Sequence, residues 1–362
     1  MFVLFIFAVL SCLYIYLASG NTTTVVMQAI FFLVAFAIAI VVMHFDFEYY
    51  LNLHWVFYGF GLFLLIVLAL SPEWLAPERQ GATRWFNLRV INLQPSEFMK
   101  VFIIVTLSAI VYKHNNEWTP KELKSDLWLL AKMGLVILPP ILLLQQQPDM
   151  GMVMMMLAIT VGLTLVSGMS YNSSAYYTEF QLRLVRRSLL LISAFRISCR
   201  RISLTILHRI KIVFTVGGHR TQIKLSSCSS NDGHRFRWAN GRQTVYVPEA
   251  HTDFIFSIVG RETGFLGSAL VITMFFILFY QIMMTAIRTH HSFGTYLCSG
   301  VIALFTFQVF QNIGMNVGIL PVTGFTLPFM SYGGSSLLSS MLAIGIVLGV
   351  RYHSKSYVFE EK

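Results

Sequence analysis

The feature that most constrains this chain is a series of apolar windows about 20 residues long, several of them free of Asp, Glu, Lys and Arg. With no water to bond inside a bilayer, a backbone must satisfy its own polar groups, so such windows read as membrane-crossing helices. Nine are clear, at 2–19, 25–44, 53–71, 97–112, 128–145, 150–168, 263–285, 296–318 and 333–350. Composition agrees: 56% of residues are hydrophobic, only 12% are charged, and 31 Phe and 17 Met fill much of the rest, far from a soluble balance. The sequence therefore predicts an all-α polytopic membrane protein, a single integral membrane domain over 1–362. The stretch SCLYIYLASG imitates a leader cleavage site. No basic region precedes the first span, however, and another follows closely, so it reads as an anchored helix.

Orientation follows from Lys and Arg in short loops. Lys113, Lys121 and Lys124, then Arg288, then Arg351 and Lys355 belong on the cytoplasmic side, which includes the C-terminus. Nine spans cannot satisfy all three clusters. A tenth crossing between 169 and 262 restores the parity, the seventh of ten. It also puts PEWLAPERQGATRWFNLRVINLQPS, VPEAHTDF and GILPVTGFTLPFMS together on the outer side.

The stretch around that crossing is anomalous. Residues 181–242 hold half of the 26 Lys and Arg but a single acid, Asp232, so the net charge of +10 is local. A spanning helix there would bury several Arg at about 2.5 to 3.5 kcal/mol each. A basic surface for anionic headgroups or a pyrophosphate is one reading, and a variable loop is another. A tract translated out of frame suits its abrupt Ser-, Arg- and Cys-rich composition best. No recognition motif accompanies the charge, so nucleic acid is not an expected partner. The four Cys show no CxxC spacing and specify neither a metal site nor a disulfide framework.

Four polar breaks interrupt the apolar pattern. In QPSEFMK, Pro95 suits the first turn of a helix, Ser96 is a candidate cap, and Glu97 and Lys100 share a face three residues apart. That pair is either a packing ion pair or a substrate site. In QQQPDMG, Asp149 caps the following helix or faces a wet cavity, and Pro139 with Pro140 imply a kink before it. The stretch NIGMNVGILPVTGFTLPFMSYGGSSLL, 312–338, is irregular backbone that lines a cavity, or else close packing by small residues. Ser331 lies within it, and Gly333, Gly334, Ser335 and Ser336 offer amides to an anion where the last helix starts. In VPEAHTDFIFS, Glu249 and Asp253 share a helical face while His251 points elsewhere. One carboxylate caps the helix in the bland reading. In the other, Asp253 is partly desolvated against the wall that begins at Phe254, which raises its basicity and suits a general base.

QPSEFMK, QPDMG, VPEAHTDFIFS, FQNIGMNVGILPVTG and LPFMSYGGSSLL resemble, in order and spacing, the SEDS family of RodA, FtsW and SpoVE, over roughly 25–170 and 244–352. The wording is most similar to the RodA branch of Gram-positive bacteria. The resemblance implies a SEDS-type fold of about ten transmembrane helices in the bacterial cytoplasmic membrane. It implies a peptidoglycan glycosyltransferase that polymerises lipid II, the undecaprenyl pyrophosphate-linked disaccharide pentapeptide, at the outer face. A class B penicillin-binding protein transpeptidase and the elongation or division machinery are the implied partners. By the same resemblance Asp253 is the residue required for polymerisation, Glu97 and Lys100 pair near a central cavity, and Asp149 is functionally sensitive. Glu249, His251 and the 331–335 stretch are then supporting groups. Lys100, Arg84 or a divalent cation such as Mg or Mn would steady the departing pyrophosphate, and an apolar cavity would hold the lipid tails.

Two departures accompany the match. TQIKLSSCSSNDGHRFRWANGR stands where the family has a span and a long outer loop, and Arg261 replaces the first of two acids after IVG, leaving Glu262. Two further readings follow, a lipid II flippase and an inactive scaffold or damaged copy.

Overall fold

The computed structural model describes residues 2–72, 75–77, 84–87, 92–118, 123–147, 149–169, 252–321 and 323–360. Nine helices and one small hairpin occupy them: α1 Phe2–Ser19, α2 Thr22–His44, α3 Phe47–Leu70, β1 Phe86–Asn87, β2 Asn92–Leu93, α4 Pro95–Glu117, α5 Leu123–Gln146, α6 Met150–Val166, α7 Ile255–Arg288, α8 Ser292–Val317 and α9 Gly334–Glu360. Each of the nine expected spans has its helix. Eight are long and apolar enough to cross a bilayer, and α6 is shorter. The tenth crossing, the basic segment 181–242, Glu249 and His251 lie outside the described residues.

Local chemistry sets the helix ends. Asn21 and Asp46 cap α2 and α3 through their side chains. Pro95 occupies the first turn of α4, where a missing N–H costs nothing. Ser96 is not the cap: Gln94 holds that position without a side-chain bond, and Ser96 is buried two residues further in, within the first turn. Pro139 and Pro140 sit inside α5, as expected. With 34 residues, α7 is too long for one straight crossing. Gly264, at φ 64° and ψ −149°, breaks it into a short segment 255–263 and a span 265–288. That backbone region is essentially closed to side chains.

The bundle is centred on α4. Of its spanning window 83% is buried, against 28% for α2 and for α3, whose outward faces carry Leu33, Val41, Phe60 and Phe63. Such faces suit lipid, and the core is helix against helix. Small residues allow the close crossings: a Cβ at Gly300 would lie 2.6 Å from Ile104 Cγ2, joining α8 to α4, and one at Gly345 would lie 2.9 Å from Val42 Cγ1, joining α9 to α2. The hairpin pairs Phe86 with Leu93 and Asn87 with Asn92. It packs on Leu68 at the end of α3 and leads directly into α4.

Candidate active site

The polar breaks converge where α4, α6, α7 and α9 begin and α8 ends. Helix α7 starts without help from its own cap residue, since Phe254 makes no side-chain bond. Asn316 of α8 supplies it. Its Oδ1 accepts from Ser257 Oγ at 2.7 Å and from Ser257 N at 3.3 Å, a first-turn donor that it shares with Phe254 O at 3.1 Å. Its Nδ2 donates to the Asp253 carbonyl at 3.2 Å, and Asn312 Nδ2 donates to the same carbonyl at 3.0 Å. Asn312 Nδ2 also reaches Phe325 O at 2.6 Å. Both Asn are fully buried, one turn apart on one face of α8.

A second grip comes from the loop between α8 and α9. Ser331 Oγ donates to Thr252 O at 2.6 Å and accepts from Leu327 N at 2.8 Å. The loop turns sharply at Gly324, φ 74°, where an added Cβ would stand 3.5 Å from Asp253 Oδ2. Phe329 takes a left-handed φ of 60°, rare for a bulky residue, and is held there by the Phe7 and Phe305 rings at 5.8 and 5.4 Å. Ser11 Oγ donates to Met330 O at 2.9 Å, and Gln28 Nε2 reaches Ser331 O at 3.4 Å, pinning the same loop from α1 and α2. The Asp253 carboxylate is thus half-buried above Gly324, with buried Phe254 behind it.

Glu97 and Lys100 lie deeper. Lys100 Nζ meets Glu97 Oε2 at 2.5 Å, with the ammonium fully buried and the carboxylate nearly so. The pair is embedded in a network. Ser339 Oγ donates to Glu97 Oε2 at 2.9 Å, and Lys100 reaches Gln308 Oε1 at 3.5 Å. Gln308 Nε2 donates to Thr326 O at 3.1 Å, and the Thr326 and Ser336 hydroxyls lie 2.8 Å apart. Charges at this depth persist only when their remaining hydrogen-bonding capacity is also met. The two charges of QPSEFMK thus pair with each other, and the pair ties α4 to α8, α9 and the loop that carries Thr326.

Asp149 caps α6, its Oδ1 accepting from Met152 N at 3.4 Å, while Gln94 Nε2 reaches its Oδ2 at 3.4 Å. Burial pushes its carboxyl above the ordinary range, and the nearby Arg84 guanidinium opposes that shift. Ser335 Oγ donates to Asn92 O at 2.7 Å and accepts from Gln94 N at 3.1 Å, stitching α9 to the hairpin. Gly334 packs on Phe31, with room for no more than a strained Cβ at 3.2 Å, whereas a Cβ at Gly333 would find its nearest neighbour at 3.9 Å. The Gly-Ser start of α9 acts as a staple here. The structure thus brings together Asp253 with Ser331, Glu97 with Lys100, and Asp149 with Arg84 and, through Gln94, Ser335. An apolar cavity of about 550 Å³, lined by residues that include Tyr49, Phe57, Val101 and Leu342, lies between α2, α3, α4 and α9 and extends away from this end.

Sequence reasoning passed over Asn312, Asn316 and Gln308. Their signal was available: primary amides at positions 308, 312 and 316 repeat every four residues through an apolar helix, a spacing that puts all three on one buried face.

Comparison with known proteins places this geometry. The model of the FtsW/RodA/SpoVE cell cycle protein family matches residues 1–356. The chain belongs to that family. A probable peptidoglycan glycosyltransferase FtsW of Trichlorobacter lovleyi is 34% identical over 89% of this chain and 82% of its own length. One from Coxiella burnetii is 32% identical over 81% and 77%. Among solved structures, Thermus thermophilus Rod shape determining protein RodA superposes with a TM-score of 0.70 at 23% identity, covering 97% of this chain and 95% of that one. A chain of a peptidoglycan synthase complex that coordinates polymerization and crosslinking gives 0.72 at 23%, covering 97% and 96%. At that identity the structures show a shared fold, that of a multi-pass membrane protein.

Proposed function

We propose that this chain is a peptidoglycan glycosyltransferase, polymerising lipid II at the outer face of the bacterial cytoplasmic membrane for cell shape, elongation or division. In this reading its C-terminus is cytoplasmic and a class B penicillin-binding protein cross-links its product. The observation that carries the reading is Asp253, a half-buried carboxylate whose main chain is gripped by Asn312 and Asn316 at the mouth of the bundle.

The chemistry needs little more than one base. The acceptor sugar hydroxyl attacks the anomeric carbon of the donor and gives its proton to Asp253. The new glycosidic C–O bond forms as the C–O bond to undecaprenyl pyrophosphate breaks, with inversion. A pyrophosphate leaves without protonation but needs its charge balanced. Arg84, near Asp149 at the same end, would contribute to that balance, and Lys100 is paired with Glu97. A divalent cation such as Mg or Mn would share that role. Among the described residues no three His, Cys, Asp or Glu groups cluster to hold one. The apolar cavity suits part of an isoprenoid tail.

Incubation of the purified protein with lipid II in detergent tests this. Glycan strands should form, and Asp253→Ala should abolish them. A flippase would make none with either protein, and strands from Asp253→Ala would remove Asp253 from the chemistry.

A further inference from the structure

We infer that Asn312 and Asn316 form a positioning pair that sets the Asp253 carboxylate for proton transfer. The inference rests on Asp253 acting as the base. Three observations on one helix face lead to it. First, the Asp253 carbonyl receives two side-chain donors, Asn312 Nδ2 at 3.0 Å and Asn316 Nδ2 at 3.2 Å, both from buried amides. Second, α7 has no side-chain cap of its own, and Asn316 Oδ1 caps it from another helix through Ser257. Third, Asn312 holds Phe325 O at 2.6 Å, one residue past Gly324, above which Asp253 Oδ2 lies.

These bonds act on the reacting group through its main chain. Fixing a carbonyl and the first turn after it fixes the rotation of the peptide on either side, and so the direction in which the Asp253 side chain leaves the backbone. The two Asn are also bonded to each other, Asn316 Nδ2 to Asn312 O at 2.9 Å and Oδ1 at 3.2 Å, so neither amide can turn without disturbing its neighbour. The Gly264 break detaches 255–263 from the rigid span behind it. The direction of that short segment is then set by its own packing, with Ile255, Phe256 and Val259 in the core, and by the grip of α8 on its beginning. Proton transfer is sensitive to such placement, and a misplacement of about 1 Å costs up to about 100-fold in rate.

The test uses full-length protein and lipid II. Asn316→Asp keeps the size and the acceptor for Ser257 but loses the donor to Asp253, and Asn312→Asp loses its donor likewise. Each variant should polymerise with kcat about 10- to 100-fold lower and KM within about two-fold, and should remain folded at the assay temperature. Asp253→Glu, which displaces the carboxylate by itself, completes a double-mutant cycle. If the Asn residues act through Asp253, Asp253→Glu combined with Asn316→Asp should be no slower than the worse single variant. Full kcat in both Asn variants, independent losses that multiply, or a fall in melting temperature that tracks the activity loss in both would overturn the inference. Asp253→Ala run alongside separates the two levels. If it still polymerises, the base assignment fails and the inference falls with it; if it is dead while both Asn variants are fully active, the inference alone fails.

Discussion

Glu97 and Asp253 are carboxylates at the same end of one bundle, and different contacts of each are on view. Around Glu97 the side chain itself is consumed: an ammonium and a hydroxyl occupy Oε2, and the partners of those groups are bonded in turn. At Asp253 the neighbouring helix grips the carbonyl, and the carboxylate stands half-buried over a glycine. The contrast separates two uses of charge in a membrane protein. A buried, fully paired ion fixes how helices meet, at considerable desolvation cost. A half-buried carboxylate on an immobilised backbone is the arrangement that the proposed base requires.

The sharpest way to break this contrast is at Asp253. Replacing it by Ala should lower lipid II polymerisation at least about 100-fold while the protein accumulates normally in membranes, as measured by immunoblot and strand synthesis together. Next comes Lys100→Met, which leaves Glu97 buried without its ammonium. It should cost about 3 to 5 kcal/mol in detergent unfolding, and the double variant Glu97→Gln, Lys100→Met should recover most of that loss. A failure to recover would mean that the pair does more than neutralise itself. Gly264→Ala follows, because its φ of 64° with ψ of −149° excludes a Cβ. A loss of about 1 to 3 kcal/mol is expected, read as a lower melting temperature.

The smallest effect belongs to the cap of α6. Asp149→Ala should cost about 0.5 to 2 kcal/mol. Its pH dependence carries a sign: the folded-state pKa of Asp149 is raised above 3.8, so the native state binds the proton more tightly than the unfolded one. Its contribution should make the protein more stable as pH falls from the folded-state value towards 3.8, and Asp149→Asn should flatten that slope in acid titration of the melting temperature.

Much of this was legible in the sequence. The nine helices follow from apolar length, since the bilayer imposes a repeat that needs no tertiary information. The Glu97–Lys100 pair follows from a three-residue spacing and the cost of burying either charge alone. What lay beyond reach were contacts between distant segments. Ser331 reaches Thr252 across 79 positions, and Ser335 reaches Asn92 across 243. The bond of the Ser335 hydroxyl to the hairpin is set by how α9 docks, which no local pattern encodes. The expected span at 263–285 nearly coincides with the segment beyond Gly264, because hydropathy registers the apolar run; the helix that carries the site begins earlier, at Ile255, under a cap supplied from α8.

The most direct measurement is of Asp253→Asn, which keeps the shape and the main-chain clamp but removes the basic oxygen. The purified variant should melt at the temperature of the parent protein and make no glycan strands from lipid II. Strand synthesis at the parent rate, or a loss of stability as large as that of Lys100→Met, would contradict the assignment of structure to one carboxylate and chemistry to the other.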